Sequence, residues 1–140
     1  MSAEGFRRLT RAMVAGASSA GASGRLAGAF RAYCRFGLEQ PALLTLMFRW
    51  DLVDLDEPQL AADSYGAFNN LVGLVVAAQA DGWQPDLDPK RLAGALWSAA
   101  HGLVNLWVGG AVQRPTGATD LDEILDPLLT ILVDPGRRRP

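Results

Sequence analysis

Only one cysteine, Cys34, and one histidine, His101, occur among the 140 residues. A lone cysteine excludes an internal disulfide and suits a reducing compartment. With no clustered partner ligands around either residue, a dedicated zinc site is excluded as well. The acidic stretch Asp51–Glu57 lacks the glycine and the spacing of a calcium loop and reads as a solvated connector. No Cys-x-x-Cys-His occurs, so His101 with Met13 or Met47 is a poor basis for haem, and no cofactor is expected. Basic residues do not outnumber acidic ones, 13 against 15. That removes the electrostatic footprint of a nucleic-acid-binding domain. The N-terminal arginines have no apolar run behind them, so no signal peptide is visible. The glycines of the Ala/Gly/Ser stretch at 15–24 match neither a phosphate-binding loop nor a dinucleotide fingerprint. Alternating strand patterns are missing too. The expectation is a soluble, cytoplasmic, single-domain chain.

What is present is apolar and helical: hydrophobic residues make up 49%, and their spacing predicts an all-α bundle of about six helices. Phe6, Leu9, Met13 and Val14 give a first helix one apolar side. Ser23 is placed to cap a second, which carries Leu26, Phe30, Tyr33, Cys34 and Leu38 on one face. Pro41 fits the first turn of a short third helix through Leu44, Met47 and Phe48. Pro58 opens a long helix that ends near Asp81-Gly82. Asp88-Pro89 opens another, running to about Val112. Thr119 is placed to cap the last helix, with Pro127 expected to kink or divide it. Residues 1–134 form one domain on this reading, and 135–140 a loose basic tail.

Two runs, Ser64–Ala80 and Leu92–Gln113, contain no charged residue. A helix apolar all round must be covered on all sides. The second run has the length of a membrane span, but Ser98, His101, Asn105 and its glycines argue against that, and no membrane contact is expected. Burial at the domain centre with one flank on a second subunit explains it better. Gly94, Ser98 and Gly102 recur every four residues as a flat ridge open to close approach. The stripe Leu121, Ile124, Leu125, Leu128, Leu129 and Leu132 is a natural second half of such an interface.

Any acid–base chemistry must run through His101. Trp97, His101 and Asn105 are four apart and share a helix face, yet no Ser or Cys stands at an evident nucleophile–base spacing. A satisfied, buried histidine and a polar contact in a helical cavity are the two readings weighed for it. The aromatics Phe30, Tyr33, Phe36, Phe48, Trp50, Phe68, Trp97 and Trp107 read as core, with a pocket wall as the alternative.

Two segments carry a resemblance. Tyr33-Cys-Arg-Phe-Gly-Leu-Glu-Gln-Pro41 with the following Ala-Leu-Leu-Thr-Leu-Met47-Phe48 resembles a signature in the C-terminal domain of many TetR-family transcriptional regulators. Leu96-Trp97-Ser-Ala-Ala-His101-Gly102-Leu-Val-Asn-Leu106 resembles the Trp…His-Gly motif of the WHG subtype of that domain. Their order and the Asp88-Pro89 helix start agree with the family, over about Gly5 to Leu132.

The resemblance implies a ligand-binding and dimerisation domain whose last two helices form a four-helix bundle across a two-fold axis. Carried over, the dimer interface would use Leu103, Leu106, Leu121, Ile124, Leu125, Leu128, Leu129 and Leu132. A small hydrophobic or amphipathic effector would meet Tyr33, Phe48, Phe68, Leu71, Val75, Trp97, His101 and Asn105. A helix-turn-helix, which reads DNA in this family, is absent from the 140 residues, so they alone are expected to make no direct DNA contact. The competing readings are a small helical enzyme using His101 in an aromatic pocket and a helical protein-interaction adaptor.

Overall fold

The computed structural model describes residues 2–18, 21–48 and 58–133. Among them lie seven helices and no strand: α1 (Ser2–Gly16), α2 (Ala22–Glu39), α3 (Pro41–Met47), α4 (Pro58–Ala80), α5 (Pro89–Val108), α6 (Gln113–Thr116) and α7 (Asp122–Leu132). The connector Asp51–Glu57, Trp50 and the 135–140 tail lie outside the described residues. No described helix is long and apolar enough to cross a membrane.

The centre of the bundle is α2, packed against α1, α4 and α5. Two close backbone approaches set this geometry. Where α1 ends on α2, a methyl group on Gly16 would stand 2.6 Å from the Gly28 carbonyl oxygen, and one on Gly28 would collide with the Gly16 carbonyl. Further along α2, a methyl on Gly37 would stand 2.7 Å from Val104 of α5. Leu26, Leu44, Met47, Val75, Val104 and Leu125 are sealed in the core these contacts enclose.

Local signals explain most of the boundaries. Phe6, Leu9 and Met13 of α1 are buried, while Val14 is exposed. The polar side of α1 gathers Arg7, Arg8 and Arg11 on Glu4, and Arg7 also reaches Asp63 of α4 at 2.6 Å. The Glu4 carboxyl is held below its ordinary range by hydrogen bonds from Arg8 and then Arg7. Pro41 opens α3, and Asp88 caps α5 by accepting the Arg91 N–H at 3.0 Å, with Pro89 in the first turn. Between α4 and α5, the Gln79 side-chain amide donates to the carbonyls of Gln84 and Leu87. The indole of the buried Trp83 donates to the Leu132 carbonyl, tying this turn to the end of α7.

Four local expectations are corrected. The residue before α2 is Gly21, with no side-chain cap, and Ser23 stands inside the first turn. At the other end of the bundle α5 stops at Val108, four residues early, because Gly109 and Gly110 turn the chain, Gly110 with φ +77°. The four-residue α6 follows, too short to show a period in sequence. Thr119 does not cap α7; instead the Glu123 carboxylate accepts from the backbone N–H groups of Thr119 and Asp120 and from the Thr119 hydroxyl. Those bonds hold its carboxyl below the ordinary range. Pro127 does not divide α7, although it deprives the Glu123 carbonyl of its i+4 partner.

The helix crossing at Gly28 makes a sharp test. Gly28→Ala is expected to destabilise by about 1–3 kcal/mol, as overpacking does. Gly73→Ala, on α4 with open space around it, is expected to stabilise by about 0.5–1 kcal/mol through helix propensity. Urea unfolding of both variants checks the pair.

Candidate functional site

Between α1, α2, α4 and α5 the bundle leaves a cavity of about 340 Å³. Its wall takes Phe6, Leu9 and Met13 from α1, Ala29, Phe30 and Tyr33 from α2, and Ser64, Tyr65, Ala67, Phe68 and Leu71 from α4. Leu96, Trp97 and Ala100 of α5 and Phe48 at the end of α3 complete it. No charged side chain lines it among the described residues. Tyr65 is 67% exposed, so the cavity reaches solvent beside that ring.

The aromatic rings stand in contact across the four elements. Phe48 lies edge-on to Phe6 at 5.4 Å and tilted to Trp97 at 5.3 Å, and Trp97 meets Phe68 at 6.2 Å. These are the offset and edge-to-face arrangements that aromatic quadrupoles favour.

One corner is polar. The Trp97 indole N–H donates to the Tyr33 hydroxyl at 3.2 Å, and that hydroxyl lies 2.7 Å from His101 Nδ1. Burial pushes the Tyr33 phenol far above its usual value, and the Trp97 hydrogen bond offsets only part of this. Burial also lowers the His101 pKa, so the ring is neutral near pH 7. Cys34, on the same helix, is sealed away and its thiol is pushed up to about 12, chiefly by burial.

The structure brings together Tyr33, Phe48, Phe68, Leu71 and Trp97 of the expected ligand set on one cavity wall. Three others stand elsewhere. Val75 is sealed in the core, His101 sits behind Tyr33 and edge-on to Phe48, and Asn105 is exposed. The reason for Asn105 is helical drift: each four-residue step advances about 40° around the axis, so two steps rotate it about 80° from Trp97. The α1 residues Phe6, Leu9 and Met13 were not expected in the wall, because a cavity-lining face and a core face carry the same apolar period.

The expected interface set divides in the same way. Leu103, Leu121, Leu125 and Leu129 are buried in the chain's own core. The stripe of α7 turns inward to bury these leucines, and on its exposed flank Arg31 of α2 reaches Asp126 at 2.6 Å and Arg35 of α2 reaches Asp122 at 2.8 Å. Leu106 is exposed, and Ile124, Leu128 and Leu132 are half-buried. Ile131, outside the expected set, is 69% exposed. No part of the described chain lies over Gly94 or Gly102 of α5 within contact of an added methyl.

His101 is the sole histidine, which makes its titration readable. Its folded pKa lies below the unfolded value, so the unfolded state binds more protons in that window. Stability is therefore complete above the unfolded pKa of about 6.5 and declines as pH falls through it. The melting temperature is expected to drop between about pH 7.5 and about pH 5.5, and His101→Gln to flatten that part of the profile. The Glu4 and Glu123 carboxyls act only at lower pH, since their values are depressed.

A family model described as the tetracyclin repressor-like C-terminal domain matches residues 26–132. The solved structure of a protein of unknown function from Rhodococcus sp. RHA1 is similar, with a TM-score of 0.81 and 26% identity over 94% of this chain. This chain spans 66% of that protein. No curated protein matches. With its helical bundle and family match together, the chain belongs to the tetracyclin repressor-like C-terminal domains.

Proposed function

We propose that this chain is the ligand-sensing and dimerisation domain of a TetR-type transcriptional regulator, with a small hydrophobic effector bound in the cavity between α1, α2, α4 and α5. The observation that carries the reading is the cavity itself, walled by aromatic and aliphatic side chains with one polar corner. That is how small-molecule sites are commonly built. A binding role suits these residues better than catalysis. His101 shares its Nδ1 contact with a phenol whose proton burial retains, and the one thiol is sealed and protonated. Operator contact is assigned to no residue of this chain.

Effector binding would act by population shift, favouring the helix arrangement that accommodates the molecule. The elements around the cavity include α5, whose outer side carries the exposed Leu106. With Ile131 of α7 it supplies apolar surface on the helices the family uses for dimers, so we place the subunit contact there instead of along the inward stripe.

Two expectations test the reading. Indene, a neutral bicyclic hydrocarbon, should raise the melting temperature by several degrees at saturation, since a ligand at a hundred times its Kd adds about 2.7 kcal/mol. Ala67→Leu, which fills the cavity wall, should abolish that rise; an undiminished rise would place the binding elsewhere. For the dimer, sedimentation should show Ile131→Glu dissociated but folded, whereas Leu125→Glu should unfold by circular dichroism, because its carboxylate would be buried unpaired.

A further inference from the structure

We infer that Tyr33 is the specificity-determining residue of the cavity: it selects uncharged, largely apolar ligands bearing one hydrogen-bonding atom, and the proton position on His101 decides whether that atom must donate or accept. The inference rests on the ligand-sensing reading above and names the class of ligand.

A phenol hydroxyl has one proton and two lone pairs, and an indole N–H can only donate. Trp97 therefore occupies one lone pair of the Tyr33 oxygen. The 2.7 Å contact with His101 Nδ1 can run either way. When Nδ1 is bare, Tyr33 donates its proton to the imidazole, and one lone pair remains for a ligand N–H or O–H. When Nδ1 carries a proton, the imidazole donates to Tyr33 and both lone pairs are taken. The phenol O–H is then available to a ligand carbonyl or ether. Protonated His101 always carries a proton on Nδ1, so acidification drives the corner into the second arrangement.

The surroundings leave this switch to His101. Of the titratable groups on α2, Tyr33 and Cys34 are held protonated by burial, while Arg31 and Arg35 are engaged by Asp122 and Asp126 of α7. On α4, Asp63 is engaged by Arg7 and Tyr65 stands at the exposed rim. The described part of α3 has no titratable side chain, and Phe48 at its end meets His101 edge-on at 5.0 Å. Lys90 and Arg91 of α5 stand about three turns before His101 along that helix. An ionic ligand would find no counter-charge in the wall and would be desolvated without compensation.

Matched bicycles test this by titration calorimetry on the full chain at about pH 4.5 and about pH 8, the lower value set well below an ordinary histidine because burial lowers His101. Indole donates only, 1-indanone accepts only, indene does neither, and indole-2-carboxylate is charged. Expected is a 1-indanone affinity that rises on acidification by about two- to tenfold, the range of one hydrogen bond, an indole affinity that falls, and an indene affinity that stays level. Tyr33→Phe should bring indole and 1-indanone to the indene affinity, and His101→Gln should remove their pH dependence. If indene binds but indole and 1-indanone match it at both pH values, Tyr33 does not select and the inference is overturned while the ligand-sensing reading stands. Should the carboxylate bind as tightly as indole, the uncharged class is wrong. Failure of all four to bind would overturn the ligand-sensing reading and the inference with it. Should Tyr33→Phe not fold, the opposite pH trends of indole and 1-indanone in the unaltered chain decide alone.

Discussion

A hydroxyl removed from water must find partners, and the buried Tyr33 hydroxyl finds them on one neighbouring helix, in Trp97 and His101. Leaving such a group unsatisfied costs about 1–3 kcal/mol, so this pair of contacts fixes the axial register of α5 against α2. The same register seats Val104 against Gly37, where any side chain would clash. Trp97 thereby has its N–H committed to Tyr33 and its ring tilted against Phe48 and Phe68. The polar corner and the aromatic wall thus come from the same placement of one helix.

On the opposite side, α1 is drawn onto α2 at the Gly16–Gly28 contact and held to α4 by the Arg7–Asp63 pair. Held in this way, α1 turns Phe6, Leu9 and Met13 to the cavity that separates it from α5. The cavity wall is made of side chains that would otherwise be core, so it is largely apolar with one polar corner. That combination, apolar volume with a single oriented polar group, matches what a sensor of small neutral molecules needs.

The fold was legible because long segments with helical spacing stand out, amphipathic in α2 and apolar nearly all round through much of α4 and α5. The expected start of α5 at Asp88-Pro89 matches because capping chemistry is local. Legibility failed where the outcome depended on tertiary neighbours. The α7 stripe has the same period whether it faces its own core or a partner, and only the burial of Leu121, Leu125 and Leu129 in the fold reveals that it turns inward. Asn105 shared a face with Trp97 only if helical drift is ignored. Phe6, Leu9 and Met13 gave no sign of lining a cavity, because a wall is a core face whose opposite partner is missing. His101 has Nδ1 on Tyr33, a residue of the cavity wall, a pairing across two helices that sequence spacing does not show.

The central claim, that the space enclosed by α1, α2, α4 and α5 holds the ligand, is tested most directly by isotope-filtered nuclear Overhauser spectroscopy on methyl-labelled protein with bound indene. The expected result is a set of contacts from the ligand protons to the methyl groups of Met13, Leu71 and Leu96, which lie on three different helices and share only the cavity. Contacts confined to Leu106 and Ile131 would place the molecule on the outer surface and contradict the account.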